Sequence, residues 1–242
     1  MKICLAQAKA VKGNIEVNIT NHLQFIHLAL EKNAKAIFFP ELSLTGYEPK
    51  LAGALATKLE DKRLSVFQQM ADAHNISIGV GIPIRNLAGI EITMLIFQAN
   101  KPQLVYAKQQ LHTDELPYFV ESNQQILLWP DTLKLAPAIC YESLQISHAK
   151  NAHTLGAKIY LASVAKPEKG INKAYLHYPI IAAQYQMPVL MVNCVGYCDN
   201  FQSVGGSSVW DKSGNIIASL DSVREGVLVF DLASKECISA YR

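Results

Sequence analysis

The chain has 242 residues, half of them hydrophobic and 17% charged, with a formal net charge of +2. That length allows one large α/β domain or two small ones with a substantial core, and the apolar content excludes a disordered chain. Near-neutral charge without a dense Lys/Arg cluster argues against nucleic acid or an anionic membrane as a partner.

The opening MKICLAQAKAVKGN is too short in its apolar part for a signal peptide, and no run approaches the roughly 18 apolar residues of a membrane span. KICLAQA reads as a first strand. Over 14–32, Ile19, Leu23, Ile26 and Leu30 recur at helical spacing while Asn18, His22, Gln24 and Glu31 fall elsewhere. That pattern predicts an amphipathic helix with one buried stripe. AKAIFFP is a continuous apolar strand stopped by Pro40. A helix near 62–74 precedes the strand ISIGVGIPI, and two β-rich stretches follow, ITMLIFQA and QLVYAK. LKLAPAIC is a further strand. Then come a helix near 144–155, the strand AKIYLAS, a helix near 173–186 and the strand PVLMVNCV. Pro179 lacks an N–H to donate and is expected to kink or begin that last helix. The end differs: GGSSVWDKSGNIIASL has the form of a hairpin turned at Ser213-Gly214, and EGVLVFDL supplies a last strand. Alternating strands and helices that give way to hairpins predict a mixed sheet layered with helices, in a single domain over 1–242.

The five cysteines, Cys4, Cys140, Cys194, Cys198 and Cys237, are odd in number and scattered. Without an export signal they are expected as reduced thiols of a cytoplasmic protein. Cys194 and Cys198 lack a second pair at zinc-site spacing, so no metal is expected.

Three strand ends carry reactive groups, and strand ends are where an α/β architecture lets side chains share a crevice. IFFPELSLTGY puts Glu41 just past one strand, LVYAKQQLHTDE puts Lys108 at the end of another, and LAPAICYES puts Cys140 at a third. Singly, each has an ordinary explanation: a thiol that fills a core, a solvated loop acid, a solubilising lysine. Together they are complementary. A thiol with a pKa of about 8.5 must lose its proton to attack well. A carboxylate in a water-poor site can take that proton, and an ammonium can hold the oxyanion of a tetrahedral intermediate. Glu, Lys and Cys therefore suffice for acyl transfer without a histidine.

These segments resemble the nitrilase superfamily, the carbon–nitrogen hydrolases, in the order of its Glu–Lys–Cys triad. FFPELSLTGYEP is similar to the glutamate motif, YAKQQLHTDELPYF to the lysine motif and AICYES to the cysteine motif, and the likeness covers nearly the whole chain. The resemblance implies a four-layer α-β-β-α sandwich, commonly paired as a homodimer, with Glu115 as a second glutamate that orients the lysine. It implies cysteine-dependent hydrolysis of a non-peptide carbon–nitrogen bond, with Glu41 as base, a thioester on Cys140, and Lys108 and the Tyr141 N–H at the oxyanion. No cofactor is expected. A small-molecule amide is the expected substrate, since true nitrilases are usually longer chains. The alternatives are a carbamoyl-amine or nitrile hydrolase, an ammonia-supplying partner of another enzyme, or an idle scaffold that kept the fold.

Residues just past strand ends are the expected substrate wall: Tyr47, Glu142, Val164 and Ala165, with Tyr118 nearby. Glu142 is expected to pair with an internal cation in preference to a substrate amine, and Lys166 to be a solvated loop charge. The chain departs from the family pattern after the nucleophile, where SLQISHAKNAH lacks the usual Pro-Glu, and at Ile181, Gln184 and Tyr185, where supporting ion pairs are common. A rival Cys–His site would use His177 or His153.

Overall fold

The computed structural model describes residues 1–129 and 131–242. The first half of the chain contains β1 (Lys2–Gln7), α1 (Ile15–Glu31), β2 (Ala36–Phe38), α2 (Ala52–Leu55), α3 (Ser65–His74), β3 (Ser77–Arg85), β4 (Ile90–Phe97) and β5 (Leu104–Ala107). The second half begins with β6 (Leu135–Ile139), α4 (Ile146–Thr154), β7 (Ile159–Val164), α5 (Glu168–Tyr185) and β8 (Val189–Asn193). It ends with β9 (Val195–Cys198), β10 (Phe201–Val204), β11 (Ser208–Trp210), β12 (Ile216–Ser219), β13 (Gly226–Asp231) and β14 (Cys237–Tyr241).

Seven strands form one sheet in the order β14-β13-β1-β2-β3-β4-β5, five form another in the order β12-β11-β8-β7-β6, and β9 with β10 makes a separate hairpin. Both large sheets are mixed. The β1–β2–β3 and β6–β7–β8 neighbours are parallel, and the flanking pairs are antiparallel.

The period of two along each strand builds the layers. On β1 and β2, Ile3, Leu5 and Phe38 meet Ile139, Leu161 and Leu190 of the second sheet in a core between the sheets. Cys4, Ala6 and Ile37 face the other way, onto Phe25 and Ile26 of α1 and Phe67 of α3. Ala136, Ala138 and Ala162 likewise turn outward onto Ala149 and Ala152 of α4 and Tyr178 and Ala182 of α5. The order is helix, sheet, sheet, helix. Among the described residues no helix is long and apolar enough to cross a membrane.

The structure corrects the reading of α1. Leu23 and Leu30 are only half-buried, while Asn18 and His22 face inward. Apolar spacing misses them because their polar atoms are satisfied inside. Asn18 donates to the Val11 and Leu44 carbonyls, and His22 Nε2 meets Ser43 Oγ at 2.9 Å. These bonds tie the helix to the segment that follows β2. Helix α5 begins before the expected 173, so Pro179 lies inside it and not at its start. The strand β13 is not the last, since β14 adds an outer edge. Its side chains are mostly exposed or half-exposed, which leaves little pattern to read.

Candidate active site

Glu41 sits in a tight turn that packs against β3. Leu42 takes a left-handed φ of 50° there, and a Cβ on Gly81 would lie 2.4 Å from Leu42 N and 2.6 Å from Pro40 O. Only a glycine lets the two backbones approach this closely. The contact is fixed by Leu44 N donating to Gly81 O at 2.9 Å and Gly81 N donating to Ser43 Oγ at 3.1 Å. The Glu41 side chain is thereby held fully buried.

Lys108 continues β5 by one ladder bond, its N–H donating to Ile92 O at 2.9 Å. Tyr106 faces the core between the sheets, so strand alternation sends Lys108 to the same side. Its Nζ lies 2.8 Å from Glu41 Oε1 and 2.7 Å from Glu115 Oε1. Glu115 is itself anchored: the Tyr47 hydroxyl donates to Oε1 at 3.0 Å and the His112 N–H to Oε2 at 2.7 Å. Burial alone would discharge the ammonium, but the two carboxylates outweigh it and push its pKa up. Burial raises the Glu41 carboxyl, and Lys108 pulls it partly back.

Cys140 ends β6 in a left-handed conformation, φ 47°, uncommon for a residue with a side chain. Its N–H donates to Ser163 O at 3.0 Å. Sγ lies 3.7 Å from Ala165 O and 3.7 Å from Lys166 Nζ. Burial, then the Glu41 charge, pushes the thiol up to about 11, with Lys166 and Lys108 opposing. The thiol lies near enough to favour the Glu41 carboxylate, whose Oε2 has no hydrogen-bond partner among the described residues. One acceptor atom of that carboxylate is therefore unengaged. A base, a cation and a thiol in one water-poor site are the components of acyl transfer.

A cavity of about 740 Å³ opens onto Cys140 and Glu115, and Tyr47, Tyr141 and Ala165 are in its wall. Three residues expected in that wall are elsewhere. Val164 is fully buried against α5. Tyr118 is half-buried against the core between the sheets. Glu142 is fully buried, its oxygens accepting from Tyr106 OH and the N–H groups of Ile139, Gln109 and Gln110. Among the described residues no lysine or arginine forms an ion pair with it, contrary to the expected internal cation. The nearby His148 is pushed down to about 4 by burial and is neutral at pH 7. Backbone donors and a hydroxyl do that work.

Lys166 is the opposite case, buried in the cavity wall and not a solvated loop charge. His177, the rival base, also lines the cavity, but its imidazole makes no hydrogen bond to Cys140. His153 is exposed. Cys194 and Cys198 bring their sulfurs to 3.6 Å, and among the described residues no group of three or more ligating side chains is placed to hold a metal. Phe201, also in the wall, was beyond sequence reading because the β9–β10 hairpin carries little alternation.

The carbon-nitrogen hydrolase family profile matches residues 2–242. The chain belongs to that family. The amidase of Nesterenkonia sp. AN1 shares the fold at a TM-score of 0.87 and 23% identity, with 97% of this chain and 94% of that one aligned. A probable nitrilase of Schizosaccharomyces pombe is 23% identical over 94% of this chain and 86% of its own length. A glutamine-dependent NAD(+) synthetase of Thermotoga maritima is 24% identical over 96% of this chain. The chain spans only 42% of that synthetase.

Proposed function

We propose that the chain hydrolyses a small-molecule amide to an acid and ammonia or an amine, with Cys140 as nucleophile. The observation that carries this reading is the buried contact of the Lys108 ammonium with both Glu41 and Glu115, charges felt by a thiol that lies in the cavity wall. Glu41 takes the thiol proton as Sγ attacks the carbonyl carbon. The carbonyl π pair moves to oxygen, which Lys108 and the Tyr141 N–H hold. Collapse breaks the carbon–nitrogen bond, and Glu41 gives its proton to the leaving nitrogen. Water, deprotonated by the same carboxylate, then attacks the thioester, and the acid departs as the thiol is restored. Glu115 keeps the ammonium aimed, and none of these steps draws on a metal or organic cofactor.

The deciding experiment is ammonia release over a panel of small amides, carbamoyl amines and nitriles, run on wild type and Cys140→Ala. Turnover of an amide, its loss in the variant with little change in Tm, and an acyl adduct on Cys140 by mass spectrometry are the expected results. An adduct on Cys194 or Cys198, or a variant that loses stability in place of activity, sinks the assignment. Full activity in His177→Ala removes the imidazole rival.

A second reading, in which the chain supplies ammonia to another enzyme, is favoured by its similarity to part of glutamine-dependent NAD(+) synthetases. Ammonia from glutamine with none from simple amides would select it. The protein is further proposed to act as a cytoplasmic homodimer, in keeping with five unbridged cysteines; light scattering reads its mass.

A further inference from the structure

We propose that Cys194 and Cys198 are an oxidative modification site, joined by peroxide into a reversible disulfide that shifts the β9–β10 hairpin and lowers the reactivity of the active site. The bond itself does not depend on the amide-hydrolase reading.

Four residues of extended strand would hold the two cysteines about 13 Å apart. Gly196 stands between them at φ 93° and turns the chain, so the sulfurs meet at 3.6 Å. Both thiols are free and buried. A disulfide brings its sulfurs to about 2.05 Å, so a closure of about 1.5 Å remains. The chain here can supply it. β9 pairs with β10 in a hairpin separate from both large sheets, and Tyr197 beside Cys198 is exposed.

The two thiols are unequal. The hydrogen bond between them lowers Cys194 from its ordinary value and raises Cys198, whereas Cys140 is pushed up to about 11. Cys194 is therefore the thiol that peroxide oxidises first. Its sulfur attacks one peroxide oxygen, the O–O bond breaks, and the leaving hydroxide takes the thiol proton to become water. The product is a sulfenic acid. The Cys198 sulfur then attacks the Cys194 sulfur, the S–O bond breaks, and a second water leaves with the Cys198 proton. Two thiols and one peroxide thus give one disulfide and two waters, with two electrons passing to the peroxide.

Both ends of the bond lead to the active site. Cys198 pairs across the hairpin with Phe201, whose ring lies 5.7 Å from that of Tyr47. Asp199 N donates to Glu48 Oε1 at 3.2 Å, which ties the same hairpin to the residue after Tyr47. Tyr47 in turn donates to Glu115, the partner of Lys108. Cys194 follows Asn193, whose Oδ1 accepts the Lys166 N–H at 2.9 Å. Ser203 Oγ lies 2.8 Å from the Cys194 carbonyl and 3.0 Å from that of Lys166, and Lys166 Nζ is 3.7 Å from the Cys140 sulfur. Drawing the two sulfurs together therefore moves Phe201 and Tyr47 in the cavity wall, and with them the lysine beside the nucleophile.

The test exposes the whole protein to hydrogen peroxide and reads the bond and its effect separately. Cleavage after Lys173 and Lys212 leaves both cysteines in one peptide, while Cys140 falls in another that begins after Lys134. By mass spectrometry the 174–212 peptide should lose two hydrogens and resist alkylation, and dithiothreitol should reverse both changes. A peptide that keeps two alkylatable thiols, or carries only a sulfinic acid, overturns the proposal, and this readout needs no substrate. Oxidation should also slow iodoacetamide at Cys140, and amide turnover with it, by about 10- to 100-fold, the scale of a displacement near 1 Å at reacting groups. Dithiothreitol should restore both rates. A disulfide that forms while both rates stay unchanged overturns the proposal. In Cys198→Ala the reduced protein should react as wild type does, and peroxide should cause no loss that dithiothreitol reverses. A reversible loss of wild-type size in that variant assigns the effect to Cys140 and overturns the proposal. If Cys198→Ala does not fold, Cys194→Ala makes the same comparison, and the 174–212 peptide of wild type decides without either. Where no amide is turned over, the alkylation rate of Cys140 carries the test alone, so failure of the amide reading leaves this one standing or falling by itself.

Discussion

Glu142 accepts the backbone N–H of Gln109 through Oε2 at 2.5 Å while its other oxygen accepts that of Ile139 at 2.7 Å. One carboxylate thus joins the residue after Lys108 to the residue before Cys140. A single side chain braces together the segments that carry the cation and the nucleophile.

Glu142→Gln is therefore expected to damage the site without touching the cavity. An amide has one acceptor oxygen where four donors converge, so its NH2 group must face a donor. A loss of about 1–3 kcal/mol is expected for the buried donors left unpaired, with a fall in kcat. The pH dependence is a sharper check. Burial raises the Glu142 carboxyl from 4.5 to about 7, so the native state holds this proton more tightly than the unfolded chain does. The associated stability is complete below about 4.5 and is lost as pH rises through about 7. Denaturant titrations between those values should show a steeper decline with pH for wild type than for Glu142→Gln. Equal slopes would refute it.

The thiol at about 11 implies a protonated sulfur in the resting enzyme at neutral pH. Alkylation of Cys140 by iodoacetamide should keep climbing beyond the pH of about 8.5 at which an ordinary thiol ionises. Glu41→Gln separates two effects of the same residue. It removes a negative charge that raises the thiol, so alkylation should begin at lower pH. It also removes the proposed base, so turnover should fall by about 100- to 10,000-fold. Alkylation and hydrolysis moving down together would argue that Glu41 only supports the turn.

The contrast between Glu41 and Lys166 shows what the sequence makes legible. Glu41, Lys108 and Cys140 each follow an apolar run directly, so period and position place them at a common edge of the sheets. Lys166 also follows a strand, yet its burial depends on Asn193 and Ser203, which reach it from strands whose relation to β7 no local pattern records. Glu142 was misplaced for a related reason. Its partners are mostly backbone N–H groups brought by the fold, and a sequence does not display those. A mixed sheet layered with helices was legible from the alternating elements, and the four-layer order came from family resemblance alone, whereas the inward turn of Asn18 and His22 was hidden because spacing arguments count only apolar residues.

Gly81→Ala tests how the glutamate turn is held. The added methyl would meet backbone atoms of Leu42 and Pro40, which cannot swing aside as a side-chain tip would. A loss of about 1–3 kcal/mol is expected from overpacking, with kcat falling as the Glu41 turn is displaced. Unchanged kinetics at a reduced Tm would show that the carboxylate is positioned by Lys108 alone.

Lys108→Met removes the cation between two buried carboxylates. The side-chain volume is nearly kept, so the main loss is electrostatic. Glu41 and Glu115, both of which contact the same ammonium, would then face one another without a counter-charge. Breaking a buried pair in this way costs about 3–5 kcal/mol, and one carboxyl is expected to escape part of that by keeping its proton. The variant should accordingly be least stable at alkaline pH and recover as pH falls towards the carboxylate range, since its raised acid stabilises the native state only while protonated. Adding Glu115→Gln to Lys108→Met should restore stability but not turnover. A double variant no more stable than Lys108→Met would mean that the two acids are not coupled through the lysine.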